Sequence, residues 1–467
     1  MGKKRLKEPT GERTMFRSFK NLKKEKIEWL VLILLFLLSF YNEATLLFFT
    51  FSLLYLLKDK AEGAIKITLL LTLRGIINPG VAVEYGSLQI YKLMLMTFCC
   101  AYLCFFINRI KPSWRNRLKF FLIPVVIFLL FNILISFFFS SLPLIGVFKT
   151  VNFGIAFCGV LIGIAYSKNR LGLIEWILNW YKLLIFASAF FLAHPVGYLT
   201  NGWSFQGMIN HPNVFGITTV LMISLLLGKL SIIGKMNLAE ILFLVFSFFM
   251  ILLSHSRTSF LSVLMILLLF FFSRLVSGLT HLKVVAMSFT GIFIITVFKP
   301  LIPYLLEFLS KGQTLDNFLL SREVQIKEMI ANIQRSPLFG NGFGVPVLPL
   351  KSYEFSLNYV VEPGNLILAV LSFSGMIGAI LFFIYMLQIF LFNKVNLRDR
   401  PFLYFSPLLI SMGEMVFFSP NNIGVFCYFS LGMYMFSEKK NLSVEMRQNC
   451  NRSKESEYSS LQNSNMS

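Results

Sequence analysis

From Ile27 to Phe436 the chain is a near-continuous succession of apolar runs, each close to the length of a membrane-crossing helix. At 1.5 Å per residue, about 20 residues cover the roughly 30 Å hydrocarbon core of a bilayer. Inside that core the backbone must satisfy its own hydrogen bonds, which leaves helices as the fold for runs of this length. Fourteen candidate segments follow: 27–41, 43–57, 65–79, 88–108, 119–140, 147–167, 174–194, 212–228, 237–254, 257–273, 283–299, 365–391, 402–418 and 421–436. The first three are short, so the expectation is an all-α polytopic membrane protein with 12 to 14 transmembrane helices and one large outer loop. Composition agrees: 56% of residues are apolar, only 14% are charged, and 53 are phenylalanine, far more than a soluble core of this size can hide.

Charge sets the orientation. The first 26 residues hold ten Lys/Arg, and no small-residue cleavage site follows the first run, so residues 1–26 read as an uncleaved cytoplasmic arm. Counted from there, the arm, the inner connections and the tail hold 32 of the 43 basic residues, a bias that places both termini in the cytoplasm. The domains expected are the arm, a transmembrane domain over 27–436, and a disordered polar tail over 437–467. The net charge of +21 lies in short clusters beside apolar runs, which excludes a nucleic-acid-binding surface. Five of the six cysteines fall inside apolar runs, and the four histidines are scattered without metal-ligand spacing. No metal or other cofactor is expected.

With this topology three polar stretches share the outer side: 195–213, the turn His255-Ser256-Arg257-Thr258, and the long segment 300–363, the large outer loop. Between Ile241 and Ser273 the only ionisable residues are His255 and Arg257, and 33 residues as one helix would overrun the bilayer, so the chain must turn there. Arg257 is then either snorkelling to headgroups or engaging an anion or a partner carboxylate at the rim. In the outer loop, Leu319, Ile326, Met329, Ile330 and Ile333 form a helical stripe, and Arg322 falls within it while Arg335 lies opposite. Arg322 therefore faces protein, in a structural ion pair or aimed into a cavity. Helix starts at His211-Pro212-Asn213 and Pro363-Gly364-Asn365 offer free N–H groups to phosphate oxygens. Pro337 to Gly344 reads equally as a backbone nest or a tight turn. Arg74, Glu84, Glu354, Glu362 and Glu414 complete the outer candidates. Glu414 is placed near the outer end of the span 402–418, and Glu362, at the mouth of the span 365–391, is a candidate base, as is His211.

Four motifs, HPNVFG at 211–216, SHSRTSFLS at 254–262, the SRE…RSPLFGNGFG stretch at 321–344 and GNLILAVLSFSGMIG at 364–378, resemble in their order the O-antigen ligase and Wzy-type polysaccharide polymerase superfamily. The resemblance covers the second half of the chain. It implies an integral membrane glycosyltransferase whose donor is a polyprenyl-diphosphate-linked oligosaccharide, with membrane lipid, a chain-length regulator and a flippase as partners. Arg257 and Arg322 match the arginines that engage the diphosphate, with Glu362 and His211 as catalytic candidates and Arg74, Asn213, Asn365 and Glu414 as substrate-binding ones. Ligases of the family carry His directly before the Asn matched by Asn365; here that residue is Gly364, which favours polymerase. The runner-up readings are a ligase-type glycan transferase and a flippase for the same lipid-linked sugars. Against the flippase, spans 9 to 11 are nearly free of mid-membrane polar residues, and no internal repeat is visible.

Overall fold

A computed structural model describes residues 26–276, 320–345 and 364–438. The helices are α1 (26–38), α2 (Glu43–Ser52), α3 (Ala61–Gly75), α4 (Gln89–Cys104), α5 (Pro112–Phe139), α6 (Pro143–Tyr166), α7 (Arg170–Ser188), α8 (Pro212–Ile233), α9 (Leu238–Leu253), α10 (Arg257–Val276), α11 (Leu320–Arg335), α12 (Leu366–Phe392), α13 (Lys394–Asp399), α14 (Pro401–Ser411) and α15 (Gly424–Phe436). Among the described residues, extended pairing is confined to one antiparallel bridge, Ile77 to Ile209. Seven helical stretches among the described residues are long and apolar enough to cross a membrane: Gly86–Arg109, α5, α6, Arg170–Phe191, α8, Arg257–Arg274 and α12. The all-α polytopic architecture is therefore present.

Helix ends follow local chemistry. Pro112, Pro143, Pro212 and Pro401 open α5, α6, α8 and α14, where a missing N–H costs nothing. Asn237 and Glu240 form a capping box at the start of α9, and Asn365 caps α12 through Ile367 N and Leu368 N. The helix α8 is buried along nearly its whole length and packs against α7, α10 and α14. Beside it, α6 packs on α4, α5 and α15, and α12 lies along α5.

The segment after α11 enters this bundle. Gly375 sits inside α12 at φ 62°, and a side chain there would meet the backbone of Leu338 at 2.3 Å. Breaking the helix at Gly375 frees N–H groups that Pro337 O and Leu338 O then accept, from Met376 N at 2.8 Å and Ile377 N at 3.3 Å. In return Asn341 N and Gly342 N donate to Ser372 O and Phe373 O at 3.0 Å each, and Phe343 N donates to Ser136 Oγ at 3.0 Å. Phe343, 1% exposed, packs against Phe128, Phe153, Phe373 and Phe418. Within the stretch 337–344 the N–H groups of Gly340 to Phe343 are thus already bonded within the protein, which favours the turn over the nest, and Phe343 plugs the bundle.

Several expected spans differ from the structure. The segment 402–418 is helical only to Ser411; residues 412–423 form a non-helical turn in which Met415, Val416, Phe417 and Phe418 are buried. The short helices α14 and α15 flank this turn, and Tyr428 Oη closes it by donating to Phe417 O at 2.6 Å. Glu414 therefore lies in a buried turn, not within a helix. The segment 365–391 is broken at Gly375, and the segments 43–57 and 65–79 become a 10-residue helix with a 3-10 continuation and a 15-residue helix, below the length of a full crossing. The segment 283–299, most of the outer loop, the arm and the tail lie outside the described residues.

Candidate active site

Three connections meet at the end of the bundle where α8 and α10 begin. The first is the approach to α8. Asn78, fully buried, donates from Nδ2 to Val196 O at 2.8 Å and Gly207 O at 2.6 Å, while Asn78 N bonds Met208 O and Asn210 N bonds Ile76 O. These bonds fix the strand-like residues just before His211. The second is the α9–α10 turn, tied to the first by Phe205 N donating to Leu253 O at 3.0 Å and by the Trp203 and His255 rings 4.8 Å apart. The third is the 412–423 turn.

At their junction His211 caps α8, its Nδ1 accepting from Asn213 N at 3.1 Å. Asn213 Nδ2 in turn donates to Glu414 Oε1 at 2.8 Å. Burial pushes the His211 imidazole below its ordinary value, and the nearby Glu414 carboxylate partly offsets this, so the ring is neutral at pH 7, with Nδ1 committed to the cap.

Arg257 opens α10 beside this cluster. The chain turns through His255 at φ 50°, a left-handed conformation costly for a residue with a side chain. The turn buries Ser254, Ser256 and Ser259, with Ser256 Oγ 2.7 Å from Ser259 Oγ. Close approach on both sides depends on glycine: a Cβ at Gly216 would lie 2.4 Å from Ser259 Oγ, and one at Gly413 would lie 2.1 Å from Thr258 Oγ1. The first turn of α10 is thereby held between α8 and the Glu414 turn, and the half-buried Arg257 stands at their edge.

The other sequence candidates are placed differently. Arg74, 2% exposed, donates from Nε to Ser39 Oγ and from Nη2 to Ser39 O and Val83 O at 2.7–2.8 Å. In this conformation it clamps the end of α1 to the chain beyond α3. Asn365 uses its side-chain oxygen as the α12 cap. Arg322 lies on α11, where Met329 is buried and Arg335 exposed as the stripe predicts, but Ile330, expected on the inward face, is exposed; the Arg322 side chain lies outside the described residues, as does Glu362. Two lysines escaped the sequence reading. Lys92 Nζ donates to Asn421 O at 2.9 Å, tethering the Glu414 turn to α4, and Lys149 Nζ donates to Gly344 O at 2.6 Å, tethering the plug to α6. The signal for both was present, since a lysine inside an apolar run is costly and is kept for a contact. Among the described residues no group of three His, Cys, Asp or Glu side chains is placed to hold a metal ion.

Chemically, the junction joins a guanidinium at a helix start, a neutral imidazole and a carboxylate held by an amide. Residues of these types can bind phosphate oxygens and accept a proton. Residues 242–383 match the family model described as O-antigen ligase. The matched stretch begins in α9, contains Arg257, Arg322, Glu362 and Asn365, and ends in α12, while His211, Asn213 and Glu414 lie outside it. No curated protein matches the chain.

Proposed function

We propose that this chain, with its O-antigen ligase match over 242–383, is a membrane polysaccharide polymerase joining polyprenyl-diphosphate-linked oligosaccharide units at the outer face of the bacterial inner membrane. The observation that carries the reading is the first turn of α10, opened by Arg257 and packed through Ser259 against Gly216 of α8 and through Thr258 against Gly413, next to the Glu414 that Asn213 holds. In the reaction a sugar hydroxyl of the acceptor attacks the anomeric carbon of the donor. The carbon–oxygen bond to the diphosphate breaks, and the lipid diphosphate leaves with the bonding pair. Arg257 and Arg322 bind the phosphate oxygens and stabilise the charge that develops on them, a role guanidinium fills through paired hydrogen bonds. The hydroxyl proton passes to Glu362, or to His211 once its Nδ1 releases the Asn213 N–H, because the neutral ring that accepts at Nδ1 carries its own proton on Nε2.

Gly364, in place of the histidine that the family's ligases carry, favours polymerase over ligase. The test is the glycolipid profile of a deletion strain. A polymerase deletion leaves single lipid-linked units on the outer face, some handed on as one-unit products. Long polymer accumulating on the lipid carrier would assign the chain to ligation, and single units trapped inside would assign it to translocation.

A further inference from the structure

The opposite end of α14 from Glu414 holds a group that the glycan chemistry does not use. Arg400, in the one-residue link between α13 and α14, is fully buried at 0% exposure. Its Nη1 donates to Asn396 Oδ1 at 2.9 Å and to Ser437 O at 3.3 Å. Its Nε and Nη2 are buried and have no acceptor. Those two nitrogens form one side edge of the guanidinium, and their N–H bonds point the same way at the spacing of two oxygens of a single oxyanion.

Among the described residues nothing fills that edge. Asp399 acts on Arg400 through its charge, and its Oδ1 accepts from Arg398 Nε at 2.9 Å. Arg274, whose Nη2 reaches Leu230 O at 3.2 Å at the end of α8, adds a second positive charge within range of Arg400. The Asp399 carboxylate balances part of the Arg400 charge, but two buried N–H groups without an acceptor remain costly, and such groups in a native fold call for a partner.

We propose that the Nε/Nη2 edge of Arg400 is the receptor for one phosphate-type oxyanion, with Arg274 as the outer cation of the site. The ligand is a phosphate mono- or diester group, supplied by an anionic lipid headgroup or by a soluble phosphate. Asn396 and Ser437 hold the guanidinium by its far side, so the open edge keeps its direction. The site lies at the far end of α8, α10 and α14 from the glycan chemistry and does not depend on that assignment.

The test uses the purified full-length protein. In one arm it is heated with inorganic phosphate or with chloride at matched ionic strength. In the other it is placed in phosphatidylcholine discs with or without phosphatidylglycerol, heated, and analysed by native mass spectrometry. The expected result is a phosphate- or phosphatidylglycerol-specific rise in melting temperature of about 2 °C or more. That rise should be lost in Arg400→Met and reduced in Arg400→Lys, which keeps the charge without the fork. A response to phosphatidylglycerol alone identifies a headgroup site, and a response to phosphate alone a soluble-anion site. No response of the wild-type protein in either arm overturns the proposal, as does a response that persists undiminished in Arg400→Met. Should Arg400→Met fail to fold, the wild-type arms still decide, and Arg274→Gln should weaken the response several-fold.

Discussion

Replacing Asn213 by Asp tests the contact on which the candidate site is built. In the wild type the amide Nδ2 donates to Glu414 Oε1 at 2.8 Å. An aspartate of nearly the same shape sets a second carboxylate against the first. Two like charges about 4 Å apart repel by about 4 kcal/mol at an effective dielectric constant near 20. The alternative, protonating one carboxyl of ordinary pKa about 4 at pH 7, also costs about 4 kcal/mol. The two routes converge, and after partial relaxation Asn213→Asp should destabilise the protein by about 2–4 kcal/mol at pH 7. The penalty carries its own signature, shrinking as the pH falls toward about 4–5, where one proton is shared without cost. Adding Glu414→Gln restores one donor and one acceptor with the charge exchanged, and should recover all but about 1 kcal/mol. The assay is the fraction of detergent-solubilised protein that survives heating, at pH 7.5 and pH 5, for wild type, Asn213→Asp and the double variant. A single variant as stable as wild type at pH 7.5, or a double variant no better than the single one, would refute the pairing of Asn213 with Glu414.

Arg257→Ala and Arg322→Ala should each abolish polymer while the protein remains in the membrane, since losing one charge-assisted contact costs about 2–4 kcal/mol, or about 30- to 1000-fold in rate. Lysine should rescue each only in part, Arg335→Ala should be nearly silent, and normal polymer from both alanine variants would make these arginines structural. The His211 imidazole has its folded pKa depressed below the ordinary 6.5, so its contribution to stability is complete above about pH 6.5 and is lost as the pH falls below it. Protonated Nδ1 can no longer accept from Asn213 N, and His211→Asn, which caps without titrating, should flatten the loss of heat stability between pH 7.5 and 5.5; an unchanged slope would remove His211 as its source. Membranes treated with a chelator should go on transferring sugar, and activity restored only by magnesium or manganese would reveal a metal requirement. Single cysteines at Lys311 and Ser459 should label differently with an impermeant thiol reagent on whole cells, and labelling of the tail alone would reverse the proposed orientation.

The all-helical membrane architecture was legible from the sequence because it depends on segment length and apolarity, properties each run of residues carries by itself. The turn at His255–Arg257 was legible for the same reason: no uninterrupted helix between Ile241 and Ser273 fits a bilayer, and the structure starts α10 at Arg257. The inward stripe of α11 followed from spacing only in part: Met329 is buried and Ile326 and Ile333 are half-buried, but Ile330 is exposed. What the sequence misassigned depends on partners far along the chain. Residues 402–418 are apolar enough for a span, yet the helix stops at Ser411, where the buried turn is held by Tyr428 and by Lys92 from α4. Apolarity cannot distinguish a residue buried in protein from one facing lipid, so the half-length helices α14 and α15 read as full spans. The break at Gly375 likewise becomes visible only when the Pro337–Gly344 plug supplies the acceptors that replace the lost helical bonds. Asn213 and Glu414, 201 positions apart, meet only because Gly413 and Gly216 let the first turn of α10 pack between them. Local chemistry set the helices, and long-range packing decided which of their ends share a site.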